Sequence, residues 1–393
     1  MIVQVLRVAL AFVGIIVGAG FASGQEVMQY FVGFGINGLW GVVLSAVVMT
    51  VMAMIILQLG SYFQAAEHGE VFDRVSHPIF SRVLDLGVIV TLFSTGFVMF
   101  AGAGANLNQQ WGLPTWVGAL LMVALVLASG LLDVNKVTNV IGAITPFIIF
   151  FLTVASLYVI FFTDHVSFAD LDVSAQAVGS PLPHWAVAAV NYVGFNLMVA
   201  VSMAIVIGGA MFHPRLAGYG GLLGGLLYSF LLVISAVTLF LAVQTVGDDD
   251  MPMLTLVGDI HPWLGQVMAV VVFGMIFNTA LGMFYALAKR ISAWWGGRFF
   301  LIYSITVLVG FVLSFLGFKN LVGYVYPVLG YIGLLLIAVM LVAWFRARGR
   351  INDESARRVR IEQLWRRGRE VEIIEEVKAS NLDVTDVRQA MED

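Results

Sequence analysis

Residues 18–26 read GAGFASGQE, and they place Gly18, Gly20, Ser23, Gly24, Gln25 and Glu26 inside an otherwise apolar stretch. Each residue type offers a chemistry. Glycine lowers the cost of leaving helical dihedrals. A helix that stops and restarts inside a membrane frees carbonyls that attract cations and amides that attract anions. Glu26 adds a carboxylate, which can hold the amine of a solute or carry a coupling proton. An ionisable group within a span marks function by default. The same residues also have a plain structural meaning. Ser23-Gly24-Gln25-Glu26 has the Ser-x-x-Glu form of a capping box, in which Glu26 closes on the Ser23 amide and a new helix begins. Both readings of Glu26 stand on the sequence, and a cap inside a cavity can also touch a ligand.

The elements around this patch follow from composition. Of 393 residues, 60% are hydrophobic and 11% charged, against about 25% charged in a soluble domain. Apolar stretches long enough to span a bilayer recur along the chain. Ten are expected: 4–34, 39–65, 84–111, 115–132, 137–162, 185–212, 219–246, 263–294, 299–316 and 322–345. The first stretch reads as a mature helix, since no convincing cleavage site follows it. Lys and Arg test this count. With the N-terminus inside, the inner connections carry Arg74, Arg82, Lys136, Arg215, Lys289, Arg290, Arg298 and the Arg-rich end. The outer ones carry only Lys319, together with Asp164, Asp170, Asp172, Asp248, Asp249, Asp250 and Asp259. Positive residues belong on the cytoplasmic side, so both termini are expected there. Cysteine is absent, which excludes disulfides and thiolate chemistry. His77, His213 and His261 each precede a proline and read as turns entering helices, not as metal ligands.

The outer loop at 163–183 divides the spans five and five, the arithmetic of an inverted repeat. The fold class is thus all-α integral membrane protein, with residues 1–345 as the core, 1–162 and 185–345 as its repeats, and 346–393 as a cytoplasmic charged tail. As one helix, the first span would run about 45 Å at about 1.5 Å per residue, through hydrocarbon about 30 Å thick. A break reconciles the two, with one half-helix ending near Val17 and another starting near Gly24. The sixth span repeats the signal more weakly, with Asn191, Gly194, Asn196 and Ser202. First and sixth helices are therefore both expected to be interrupted, which points to a midplane site.

With GAGFASGQE in the first of ten spans, the sequence resembles the YkvI-type family of bacterial membrane proteins. These are regarded as amino-acid permeases of the amino acid–polyamine–organocation superfamily, which has the LeuT fold. The resemblance covers the spans and leaves the tail outside. It implies a sodium site between carbonyls of Gly14 and Val17 and the eighth-span pair Asn278 and Thr279. Only Thr279 of that pair keeps the family's hydroxyl. It implies that a substrate carboxylate meets amides near Ala19, Gly20 and Phe21. It makes Phe195 or a neighbour an aromatic lid, Phe97 a wall, and Asn196 part of the lining. For Asn191 an interhelical hydrogen bond is the better reading. Glycine pairs at Gly102/Gly104, Gly220/Gly221 and Gly224/Gly225 read as close helix packing.

The function expected is a secondary active transporter of a small organic solute, an amino acid by preference, coupled to sodium or proton. An amino-acid-binding receptor without transport is the rival reading, and a passive channel a further one. An enzyme is disfavoured, since the spans hold no nucleophile–base or metal constellation. No cofactor is expected beyond the coupling ion, and no nucleic acid. The location implied is the bacterial cell membrane. The tail is basic over 346–369 and mostly acidic beyond. Its basic half is expected to meet anionic lipid at about 1 kcal/mol per residue.

Overall fold

A computed structural model describes residues 2–130, 144–294, 297–382 and 387. Lys136, the start of the fifth expected span, the last residues of the fourth and Trp295 lie outside the described residues. The described elements are helices in this order. The N-terminal region holds α1 (Ile2–Ile16), α2 (Ala19–Ser23), α3 (Gln25–Tyr30), α4 (Ile36–Phe63), α5 (His68–Val75), α6 (Pro78–Trp111), α7 (Thr115–Ser129) and α8 (Ile144–Phe162). Next come α9 (Phe168–Val178), α10 (Trp185–Gly209), α11 (Pro214–Leu241), α12 (Val243–Val246), α13 (Pro252–Ile260), α14 (Pro262–Trp294), α15 (Phe299–Ser314), α16 (Phe318–Arg366) and α17 (Glu370–Lys378). Among the described residues, α4, α6, α10, α11, α14 and α16 are long and apolar enough to cross a membrane. Shorter apolar helices, α1, α7, α8 and α15, stand where the other four spans are expected.

Helix starts obey the local code. Pro78, Pro214 and Pro262 each open a helix after histidine. His77 and His261 cap theirs by accepting from Ile79 N at 3.3 Å and Trp263 N at 3.2 Å through Nδ1. Packing in lipid relies on small residues that let backbones meet. On α11, Gly220 and Gly224 lie against Val8 and Ala9 of α1, while Gly221 and Gly225 lie against Ala53 and Thr50 of α4. The i, i+4 spacing puts each pair on one face, so α11 wedges between α1 and α4. Likewise Gly104 of α6 lies against Thr115 of α7.

The sixth expected span corrects one reading. Helix α10 is continuous from Trp185 to Gly209, without an interruption. Its Gly194 serves packing: a Cβ there would stand 2.6 Å from the Gly330 carbonyl of α16. A lone glycine held against a neighbouring backbone has no room to unwind. Asn196 Nδ2 donates to the Tyr192 carbonyl one turn back at 2.9 Å, within the same helix.

The tail begins without a backbone break, since α16 runs through residue 345 to Arg366. Arg358 is fully buried. Its guanidinium donates to the carbonyls of Ser61 at 3.0 Å, Tyr62 at 3.0 Å and Phe212 at 2.7 Å, and to Glu354 Oε1 at 2.9 Å. It thereby helps to satisfy the C-terminal carbonyls of α4, together with Gln64 and Asn381. His213 Nε2 meets Glu362 at 3.0 Å, and burial holds this imidazole below the ordinary histidine range. Ile361, Ile373, Val377, Leu382 and Val387 form a small apolar core of their own. One arginine of the basic half therefore grips the protein, while Arg346, Arg348 and Arg350 stay exposed.

Two outcomes follow from this packing. Gly221→Ala is expected to destabilise by about 1–3 kcal/mol, because its Cβ meets backbone. Gly349→Ala, with open space around it, is expected to be neutral or stabilising; thermal unfolding in detergent compares them. Arg358→Met is expected to cost about 1–3 kcal/mol locally by taking its donors from the carbonyls of Ser61, Tyr62 and Phe212, while Glu354 keeps Arg357. Limited proteolysis should then cut the tail of the variant while the wild-type tail resists.

Candidate functional site

The last regular bond of α1 runs from Val17 N to the Val13 carbonyl at 2.8 Å. Gly18 is extended, with φ −99° and ψ −179°. Among the described residues, no backbone hydrogen bond joins the carbonyls of Gly14, Ile15, Ile16 and Val17 to the amides of Gly18, Ala19, Gly20 and Phe21. Four donors and four acceptors are thus left open. The break falls where the sequence places it, but the chain re-enters a helix sooner, at Ala19. It then kinks a second time at Gly24, whose φ of +84° suits glycine.

The capping box is a second correction. Ser23 ends α2 and does not cap α3: its Oγ donates to the Gly20 carbonyl at 2.7 Å and accepts from Gln25 N at 3.2 Å. Glu26 does not turn back to the Ser23 amide. Its carboxylate folds against Gly20, in space that any side chain at position 20 would fill.

Glu26 is 5% exposed. Among the described residues, no ion pair and no side-chain hydrogen bond reaches its carboxylate. The hydroxyls of Tyr30, Tyr192, Tyr228 and Tyr326 lie within electrostatic range of it. Two of these are tied to each other, Tyr192 and Tyr228, with oxygens 2.6 Å apart. Tyr30 donates to Asn191 Oδ1 at 3.2 Å, and Asn191 Nδ2 donates to the Pro327 carbonyl at 2.9 Å. The interhelical reading of Asn191 therefore holds. Among the described residues, the Tyr326 hydroxyl and both polar atoms of Gln25 find no hydrogen-bond partner and are buried. Phe21 meets Tyr228 with ring centres 5.3 Å apart, and Phe195 stacks on Tyr326 at 4.0 Å.

The break, Ala19, Gly20, Phe21, Glu26 and Phe195 therefore share one buried neighbourhood with four tyrosines. Phe97 belongs to an aromatic cluster with Phe93, 5.4 Å away, and contacts the Gly310 region of α15. Thr279 Oγ1 donates to the Met275 carbonyl of its own helix at 3.0 Å. Among the described residues Asn278 makes no side-chain hydrogen bond, and α14 packs on α2. Gly14 has open space around it. The tyrosines are what sequence reasoning missed. They fall in four different spans with no spacing to link them, and only the rule that buried hydroxyls seek partners could have drawn attention to them.

No protein-family model matches the sequence. The Bacillus subtilis membrane protein YkvI, itself uncharacterised, is 25% identical over 338 residues, which cover 85% of this chain and 94% of YkvI. Among solved structures, inward-facing Mhp1 superposes with a TM-score of 0.61 at 15% identity, over 88% of this chain and 77% of Mhp1. MhsT in complex with L-phenylalanine superposes with a TM-score of 0.55 at 14% identity, over 86% of this chain and 87% of MhsT. At such identities the structures speak to fold alone. The resemblance to the YkvI-type membrane proteins is thus borne out, and the chain is a multi-pass membrane protein with the LeuT fold.

Proposed function

We propose that the protein is a secondary active transporter of a small organic solute, an amino acid, coupled to sodium or proton by alternating access. One observation carries this reading: open peptide groups and an unpaired carboxylate share one buried site at the interrupted first span. Irregular backbone at membrane depth is tolerated only where it is buried in protein or lines a cavity. A transporter opens such a segment to its solute. The fold is shared with MhsT, whose structure holds L-phenylalanine.

In this reading ten spans form a 5+5 inverted repeat in the bacterial cell membrane, with both termini cytoplasmic. The solute sits among Ala19, Gly20, Phe21, Glu26, Phe195 and Asn196, with Phe97 farther out. A coupling cation sits between the carbonyls of Gly14 and Val17 and the side chains of Asn278 and Thr279. Thr279 spends its proton on Met275, which leaves its oxygen lone pairs for a cation. The exposed Arg346, Arg348 and Arg350 meet anionic lipid at the inner leaflet. A receptor is the second reading, favoured by the tail that Arg358 fixes to the end of α4.

Reconstitution into liposomes tests the choice. Uptake of a labelled amino-acid mixture is expected to accumulate under an imposed sodium or proton gradient and not without one. Saturable binding with no flux under either gradient would instead establish the receptor. A residue test accompanies it. Gly20→Ala pushes a methyl group into the Glu26 carboxylate and is expected to lower uptake about tenfold or more, about 1.4 kcal/mol in effect. Circular dichroism should show the helices intact, and unchanged uptake would remove Glu26 and Gly20 from the site.

A further inference from the structure

The charge balance around Glu26 narrows the substrate class, an argument that rests on the transporter reading of this site. A buried carboxylate without a partner is costly, and proteins pair such charges. Among the described residues, none supplies a partner. The described ion pairs gather elsewhere, at Arg290 with Asp85 and along the tail. The groups within electrostatic range are neutral tyrosines, and three of them are already committed. Tyr30 donates to Asn191. Tyr192 and Tyr228 share one hydrogen bond.

Two polar side chains remain without partners. The Tyr326 hydroxyl lies within electrostatic range of Glu26 and makes no hydrogen bond. Gln25, the neighbouring residue, is fully buried with both amide atoms free. The wall of Phe21, Tyr228, Phe195 and Tyr326 is aromatic, and aromatic faces favour cations. An ammonium group brings one positive charge and three N–H donors. Its charge complements a carboxylate, and its remaining N–H groups can serve other acceptors.

A ligand carboxylate fits this place poorly. The Glu26 carboxylate folds against Gly20, the middle residue of the open Ala19–Phe21 amides. An anion seated on those amides would stand beside a carboxylate, where low dielectric strengthens repulsion.

We infer that Glu26, folded against Gly20, is the seat of the solute's ammonium group, so the substrates are primary amines or zwitterions and not simple carboxylic acids. A zwitterion binds with its carboxylate directed away from Glu26.

The test is thermal unfolding of the purified full-length protein with matched probes: methylamine, phenethylamine, L-phenylalanine, acetate and 3-phenylpropionate at equal millimolar concentrations. A ligand that binds only the folded state raises the midpoint. At least one amine-bearing probe is expected to raise it, and neither carboxylic acid should. Glu26→Gln keeps the shape and is expected to weaken that probe about tenfold or more, while Glu26→Asp retains part of the effect. The assignment is overturned if 3-phenylpropionate stabilises as well as phenethylamine. It is equally overturned if Glu26→Gln binds the amine like wild type, or if no amine-bearing probe stabilises the wild type. Liposome uptake keeps the two readings apart. Gradient-driven uptake without amine selectivity overturns the ammonium seat alone, and amine binding without uptake overturns transport alone.

Discussion

Hydrocarbon offers no hydrogen bonds, so a chain crossing it must satisfy each peptide group from within. That constraint makes the gap between α1 and α2 the feature on which the rest depends. Four carbonyls from Gly14 to Val17 and four amides from Gly18 to Phe21 stay open where an unbroken helix would close them. Leaving them open is costly unless the surroundings are polar or a ligand supplies the missing bonds. The side chains nearby respond in kind. Ser23 hydroxyl takes the Gly20 carbonyl, Glu26 lies on Gly20, and tyrosines from α3, α10, α11 and α16 close around the carboxylate.

Holding such a site requires rigid neighbours, and glycine provides them by absence. Helix α11 presents one glycine pair to α1 and another to α4, so the half-helix before the break is clamped to an unbroken helix. Gly194 does the same for α10 against α16. On the cytoplasmic end expected from the charge distribution, Arg358 ties the tail to the final carbonyls of α4 and to Phe212 at the end of α10. The tail is thus fastened to helices that pack against the site, and any movement of α4 relative to α16 is felt at Arg358.

Much of this was legible in the residues. The length of the first apolar stretch and its glycines locate the break to within a residue of Val17. Apolar run lengths place the long helices, and histidine–proline pairs mark their starts. The misreadings have physical causes. Ser-x-x-Glu looks like a capping box only if its serine precedes a helix; here Ser23 ends one, because the chain resumes helical form at Ala19. Gly194 looks like a hinge only when its neighbour is unknown. Once α16 lies against it, the same missing side chain holds α10 straight. The tyrosines were invisible for another reason: a site assembled from four separate helices leaves no spacing to read, and no local pattern links Tyr30 to Tyr326.

The unbroken α10 also shapes what the site can recognise. Two interrupted helices would surround a solute with backbone dipoles from both sides, a receptor suited to zwitterions with little help from side chains. Here only one side is open backbone. The other presents side chains: the Tyr192 hydroxyl, the Asn196 amide and the Phe195 ring stacked on Tyr326. In the proposed reading, charge discrimination falls to Glu26, an ionisable acid buried in this neighbourhood. A backbone dipole is common to any sequence, whereas a carboxylate against glycine is particular to this one. In the proposed reading, selectivity therefore rests less on the shared fold than on how Glu26 meets Gly20.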